Sequence, residues 1–387
     1  MKNKYNFDEI VDCRNTNSLK WDYEGKNGLI AMGCADTDFK SPQPVIDALT
    51  ERGKFGNYAY GYIPESFFES IVRWYKIRHG CEINRAWISF SPGVMVALNI
   101  IMHAFTNPGD QIVIQPPVYK SFDEIIKNVG RFPLNNDLVL QDGKYYMDFN
   151  DLEKKVRDPK TKLFVLCNPQ NPVCRVWSQD ELKKLCEICI NNNVLIVSDE
   201  IYGDIIYEGY KHIPFISLSP EAANNSIIIS SPGKTFNING LYSAYAIIPN
   251  KKYHEQYDVT YNYFYLDPNI FGVIALETAY TQCSDYVDQL MMYLTGNVQY
   301  LNNFIKKRMP EVNMIEPEGT FMMWINFRKW GMSDEELKHF FYKAGVFLNS
   351  GVEYGGDSSG FMRMNIACPR ATLEKALSCI SKVYENK

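Results

Sequence analysis

The sequence has no membrane-length apolar run, no basic tract, few histidines and no repeated cysteine spacing, and each lack removes a class of function. No apolar stretch approaches the roughly 20 residues that cross a bilayer, and the opening MKNKYNFDEIVDCRN has no apolar core of signal-peptide length. A cytoplasmic protein that uses no membrane is therefore expected. A formal charge of -5, without a cluster of lysine or arginine, leaves no electrostatic footprint for nucleic acid or an anionic surface. Five dispersed histidines do not supply the converging ligands of a metal site, so none is expected. The ten cysteines are scattered and read as reduced thiols. One CxxC exists, Cys186 with Cys189, but it lies on the apolar face of a helical pattern and reads as core.

What is present is a chain long and apolar enough for a full core: 387 residues, 46% hydrophobic. Four short runs, QIVIQ (Gln111 to Gln115), LFVLC (Leu163 to Cys167), VLIVS (Val194 to Ser198) and SIIIS (Ser226 to Ser230), are apolar without alternation. Strands of that kind are buried on both faces, as in a mainly parallel sheet between helices. Ser178 with Glu181 forms a capping-box pattern opening a helix between the second and third runs. Ser333 with Glu336 opens another that stops at Gly345. The expected fold is α/β: a three-layer domain over residues 46–285, and a smaller α+β domain from residues 1–45 and 286–387.

The stretch IIISSPGKTF, Ile227 to Phe236, ends like a phosphate-binding P-loop, but the glycine required five positions before Gly233 is Ile228. Ser231 to Lys234 also fits the S-x-x-K of serine penicillin-binding enzymes, yet the S-D-N and K-T-G partners do not follow. In an open α/β sheet, ligands gather beyond the carboxyl ends of the strands. The residues just after the four runs include Tyr119, Asn168 to Pro172, Asp199 with Tyr202, and Ser231 with Lys234. An aromatic ring, an amide, a carboxylate, a phenol, a hydroxyl and an amine would thus converge on one edge.

With these residues in place the chain resembles the fold type I pyridoxal-phosphate enzymes, the aspartate aminotransferase superfamily. Within it the chain is most similar to the cystathionine β-lyase branch that includes MalY and PatB. The likeness runs over nearly the whole length, through TNSLKWD, ADTDFKSP, PESFFESIVRWYKIRHG, SPGVMVALN, PPVY, NPQNPVCRVW, SDEIYGD, SPGKTFN and RMNIACPR in order. It implies that Lys234 forms the Schiff base with the cofactor aldehyde and then serves as base at the substrate α-carbon. Asp199 would pair with the pyridine nitrogen, Asn171 and Tyr202 with the ring oxygen, and Tyr119 would stack on the ring. The phosphate would rest on Gly93, Val94 and Met95 at a helix start, with Ser231 adding its hydroxyl. Arg363 would clamp the substrate carboxylate with its planar fork, beside Asn171 and Ala35. The resemblance also implies a homodimer whose sites are shared, with Tyr62 rather than Tyr60 reaching the neighbour's phosphate. If Tyr58-Ala-Tyr60-Gly-Tyr62 were a strand, all three phenols would face one way.

The implied activity is release of a thiol, ammonia and pyruvate from cysteine-S-conjugates. The alternatives are an aminotransferase, which begins with the same α-proton loss, and a catalytically silent sensor or regulator, against which Lys234, Asp199 and Arg363 argue. Four departures from the family pattern bear on the substrate. Gly33-Cys34-Ala35-Asp36-Thr37-Asp38 stands where the family has a Trp-Val-Ala-Asp-Met-Asp-like string. Tyr202 replaces a histidine usual in the lyase branch, Cys174 a glycine, and Gly233 a small hydroxyl residue.

Overall fold

The computed structural model describes residues 4–385. Seven strands form the main sheet: β1 (Ile88–Ser91), β2 (Gln111–Ile114), β3 (Phe132–Asn135), β4 (Thr161–Cys167), β5 (Leu195–Asp199), β6 (Ser226–Ser230) and β7 (Ala244–Ile247). Their spatial order is β1-β7-β6-β5-β4-β2-β3. From β6 to β3 every pairing is parallel, and only β7 runs against its neighbours. The four apolar runs all lie in this sheet, displaced by no more than two residues at either end.

Both faces are buried, as the unbroken apolar runs require. Ile112, Leu163, Val165, Val197, Ile227 and Ile229 pack on one face, against the helix Val94–Phe105. Val113, Phe164, Leu166, Ile196 and Ile228 pack on the other, against Leu182, Leu185, Cys186 and Cys189 of the helix Gln179–Asn191. Both thiols of the CxxC therefore face the core. Ser178 caps this helix by accepting from Glu181 N, while the Glu181 carboxylate accepts from Ser178 N at 2.9 Å. The helix Asp334–Lys343 opens with the same reciprocal pair, Ser333 and Glu336, and Gly345 follows its end at φ 73°. No helix among the described residues is long and apolar enough to cross a membrane.

A second, antiparallel sheet is built from Asn313–Met314, Met322–Asn326, Phe361–Asn365 and Asn349–Ser350, in that order. The N-terminal segment joins this part of the chain: Ile30–Ala31 pairs in parallel with Val346–Phe347. Asn365 N donates to Met32 O at 2.8 Å, and Asp38 N to Ala367 O at 2.8 Å. The strand alternative for Tyr58 to Tyr62 is not what forms. The chain is irregular there, and Tyr60 and Tyr62 are 97% and 81% exposed.

The Ser178 cap yields a direct expectation. Ser178→Ala removes one acceptor for an otherwise unpaired amide, so unfolding in denaturant should show a loss of about 1 kcal/mol. An unchanged midpoint would mean the Glu181 carboxylate, which also meets Arg175, holds the helix start unaided.

Candidate active site

Because β7 reverses direction twice, the carboxyl ends of β1, β2, β4, β5 and β6 lie along one edge of the sheet. In-register pairing sets Asp199 at the end of β5 beside Cys167 of β4 and Ile229 of β6. Just beyond lie Asn168 to Asn171, Tyr202, and the turn carrying Ser231 into the short helix Gly233–Phe236, which presents Lys234. After β1, Gly93 is the N-cap of Val94–Phe105 and carries no side-chain cap, so the first amides of that helix face the same edge uncovered.

Several polar groups here are buried and incompletely paired. Asp199 is 4% exposed; one carboxylate oxygen accepts from Ile201 N at 3.1 Å, and no cation among the described residues lies within ion-pair distance. Burial pushes its pKa up to about 7, opposed by the Ile201 amide and the Lys234 charge. The Tyr202 hydroxyl is buried with no partner. Lys234 Nζ donates to Ala35 O at 2.9 Å, and burial lowers its pKa despite the opposing charge of Asp36. Buried polar atoms are nearly always paired, so the Tyr202 hydroxyl, beside a buried carboxyl without a cation, marks a place built for a partner.

Arg363 comes from the central region of the second sheet and is 5% exposed. Its fork donates to Asn171 Oδ1 (3.1 Å), Asn349 Oδ1 (2.8 Å) and Gly33 O (2.8 Å), while Nε has no partner. No carboxylate forms an ion pair with it among the described residues, which sets aside a purely structural salt bridge. Its guanidinium lies 4.9 Å from the Tyr354 ring centre. Tyr119, half-buried and edge-on to Phe122 at 5.9 Å, shares a cleft of about 350 Å³ with Tyr354.

The structure thus sets Tyr119, Asn171, Asp199, Tyr202, Ser231 and Lys234 beyond the strand ends, with Gly93, Val94 and Met95 at the helix start after β1, Ala35 bonded to Lys234 and Arg363 bonded to Asn171. Ser231 already donates to Ser243 O at 2.7 Å and accepts from Gly233 N at 3.1 Å, leaving one lone pair free. Tyr62 stands apart within this chain, exposed. The residues the sequence reading missed are Glu24, Asn349, Asn365 and Tyr354, each reaching the site through the second sheet or the N-terminal segment. Two departures from the family pattern now have causes. A Cβ on Gly233 would lie 2.5 Å from Asn239 Oδ1, and one on Gly33 would lie 2.5 Å from the Phe347 ring and 3.0 Å from Glu24 Oε2.

Comparison with known proteins agrees with this geometry. The chain matches Aminotransferase class I and II over residues 29–380 and belongs to that family. It is 39% identical to cystathionine beta-lyase PatB of Bacillus subtilis (strain 168), across 96% of this chain and 98% of that one. Cystalysin from Treponema denticola, a structure containing pyridoxal 5'-phosphate, superposes with a TM-score of 0.95 at 32% identity, covering 99% of each chain. The PLP-bound C-S lyase from Staphylococcus hominis gives 0.92 at 31% identity, covering 98% of each.

The raised Asp199 pKa carries a stability consequence for cofactor-free protein. Protonated Asp199 is favoured in the fold, so its contribution is full below the unfolded value near 3.8 and is lost as pH rises through about 7. Asp199→Asn should therefore match wild type at pH 4 and exceed it at pH 8, by an amount on the order of 4 kcal/mol at most. Denaturant unfolding at both values checks this. An equal difference at the two pH values would contradict an unpaired buried carboxyl.

Proposed function

We propose that this chain is a pyridoxal-phosphate-dependent carbon–sulfur β-lyase acting on cysteine-S-conjugates of the cystathionine type. The observation that carries the reading is the Asp199 carboxyl, buried at the sheet edge with one accepted bond, from Ile201 N, and no ion-pair partner among the described residues. The free Tyr202 hydroxyl and the uncapped helix start at Gly93 fit the cofactor's ring oxygen and phosphate in the same way. Bound there, pyridoxal phosphate supplies an aldehyde for the substrate amine and a ring that accepts the electrons left by α-proton loss.

The residues divide the remaining work. Asp199 would hold the ring nitrogen protonated, each charge compensating the other's burial. Asn171 and Tyr202 would donate to the ring oxygen, Tyr119 would cover a ring face, and the amides at Gly93, Val94 and Met95 would hold the phosphate, joined by Ser231 once its hydroxyl turns away from Ser243 O. Arg363, already free of any carboxylate, would take the substrate's α-carboxylate through its unpartnered Nε and fork. That grip turns the α-hydrogen toward Lys234 Nζ. Burial favours the neutral amine, so Nζ can accept the proton from Cα and return it where the reaction requires. The β-sulfur leaves as a thiolate; one water is consumed, and thiol, ammonia and pyruvate are released. An aminotransferase remains the second reading, favoured by the Tyr202 phenol and by the family's breadth, because the first proton transfer is common to both.

Lys234→Ala should abolish thiol release from cystathionine and the visible absorption of bound cofactor, and borohydride should no longer fix cofactor to the chain. Retention of the band and of turnover would assign the reactive amine elsewhere.

The active species in this reading is a homodimer with shared sites, in a cytoplasmic setting, the large domain spanning residues 46–285. Exposure of Tyr60 and Tyr62 on an irregular stretch supports it, since both rings stand in water while the neighbouring Tyr58 meets Phe271 at 6.0 Å. Tyr62 would cross to the neighbour's phosphate. Mixing inactive Lys234→Ala with inactive Tyr62→Phe subunits should restore about a quarter of the sites when dimers reassort at random. No recovery after verified subunit exchange would rule out sharing through Tyr62.

A further inference from the structure

Lys234 and Arg363, the two cations of the site, belong to different sheets, yet both end on one short stretch of main chain. Arg363 donates to Gly33 O at 2.8 Å, and Lys234 Nζ to Ala35 O at 2.9 Å. The Asn365 amide donates to Cys34 O and to Asp36 O, each at 2.6 Å, and the Asn239 amide reaches Asp36 Oδ1 at 3.3 Å. Between the two gripping carbonyls, the amide of Cys34 points the other way and donates to Glu24 Oε2 at 2.7 Å. Glu24 is half-buried and feels the Arg363 and Lys20 charges as well as that of Asp36.

The carboxylate reaches Cys34 only because position 33 has no side chain. A Cβ there would meet the Phe347 ring and crowd Glu24 Oε2. The large aromatic residue that the family string places at this point could not coexist with Glu24 and Phe347. This chain has therefore replaced a side chain of the substrate wall with a carboxylate that braces the wall from behind.

We infer that Glu24 is a positioning residue for the substrate site: by holding the Cys34 amide it sets the Gly33 and Ala35 carbonyls that aim Arg363 and Lys234. The inference rests on the reading of Arg363 as the carboxylate clamp and Lys234 as the base. Removing the acceptor frees the Cys34 peptide to tilt, and both cations lose their fixed anchor together. A charge-assisted bond to a buried amide is strong enough for its loss to be felt as about a tenfold change.

The test uses Glu24→Ala and Glu24→Gln, each with its unfolding midpoint measured. Glu24→Ala should raise KM for the cysteine conjugate about tenfold, with a smaller fall in kcat. Glu24→Gln keeps an acceptor for Cys34 N and should recover most of the loss. Calorimetric binding of 3-mercaptopropionate, a carboxylate without an amine, to cofactor-free protein should weaken in parallel. Should Glu24→Ala fail to fold, Glu24→Asp, which withdraws the carboxylate by one methylene, is read in its place. Wild-type KM and ligand affinity in the Ala variant would overturn the inference, as would equal damage from Ala and Gln, which would mean the charge acts rather than the bond. A wild-type protein that releases no thiol would instead defeat the functional reading, and the ligand-binding comparison would still decide the role of Glu24.

Discussion

The site depends on one constraint: a strap of main chain, Gly33 to Asp36, to which groups from both sheets are hydrogen-bonded. Lys234 follows the main parallel sheet, and Arg363 lies in the second, antiparallel one. Each donates to a carbonyl of that strap, which itself is pinned by Glu24, Asn365 and Asn239. In the proposed mechanism a substrate held by its carboxylate at Arg363 gives its α-proton to Lys234, which needs the distance between those two groups to be fixed. Backbone carbonyls two residues apart are stiffer anchors than flexible side chains would be. The short reach of Arg363 to Asn171 closes the arrangement by joining the second sheet to the loop after β4.

Around that frame the electrostatics are unbalanced in a way a ligand would correct. A buried carboxyl without a cation at Asp199, a buried phenol without a partner at Tyr202 and a guanidinium without a carboxylate at Arg363 each cost folding free energy among the described residues. A heteroaromatic cation, a ring oxygen and a substrate carboxylate answer those three needs in turn. Such stored cost is common where a protein is shaped for its ligand rather than for itself.

How much of this could be read beforehand follows from burial. The apolar runs at Gln111, Leu163, Val194 and Ser226 announced central strands because nothing polar can stand on either face there. β3 was missed because FPLN carries a proline, which an edge strand tolerates and a central one does not. β1 escaped because ISFS alternates serine with apolar residues, and β7 because AYAI is short and half alanine, a poor strand former. Site residues that directly follow the strong runs were found by position alone. Glu24, Asn349 and Asn365 were not, since they reach the site through the N-terminal segment and the second sheet, whose short strands carry no comparable signal. Cys174, noted as standing where the family has glycine, adopts φ 62°, a left-handed conformation costly for a side chain. Its thiol donates to Met322 O at 2.7 Å, which helps hold it there.

In the proposed mechanism lyase and aminotransferase begin with the same α-proton loss and part only after it. The decisive measurement is therefore product stoichiometry: cofactor-loaded protein given a cysteine-S-conjugate, with and without an added 2-oxo acid. A β-lyase releases pyruvate, thiol and ammonia in equal amounts through many turnovers with no oxo acid present, and adding one changes nothing. Turnover that stops after a single equivalent per site, and resumes with transfer of the amino group when an oxo acid is supplied, would contradict the account.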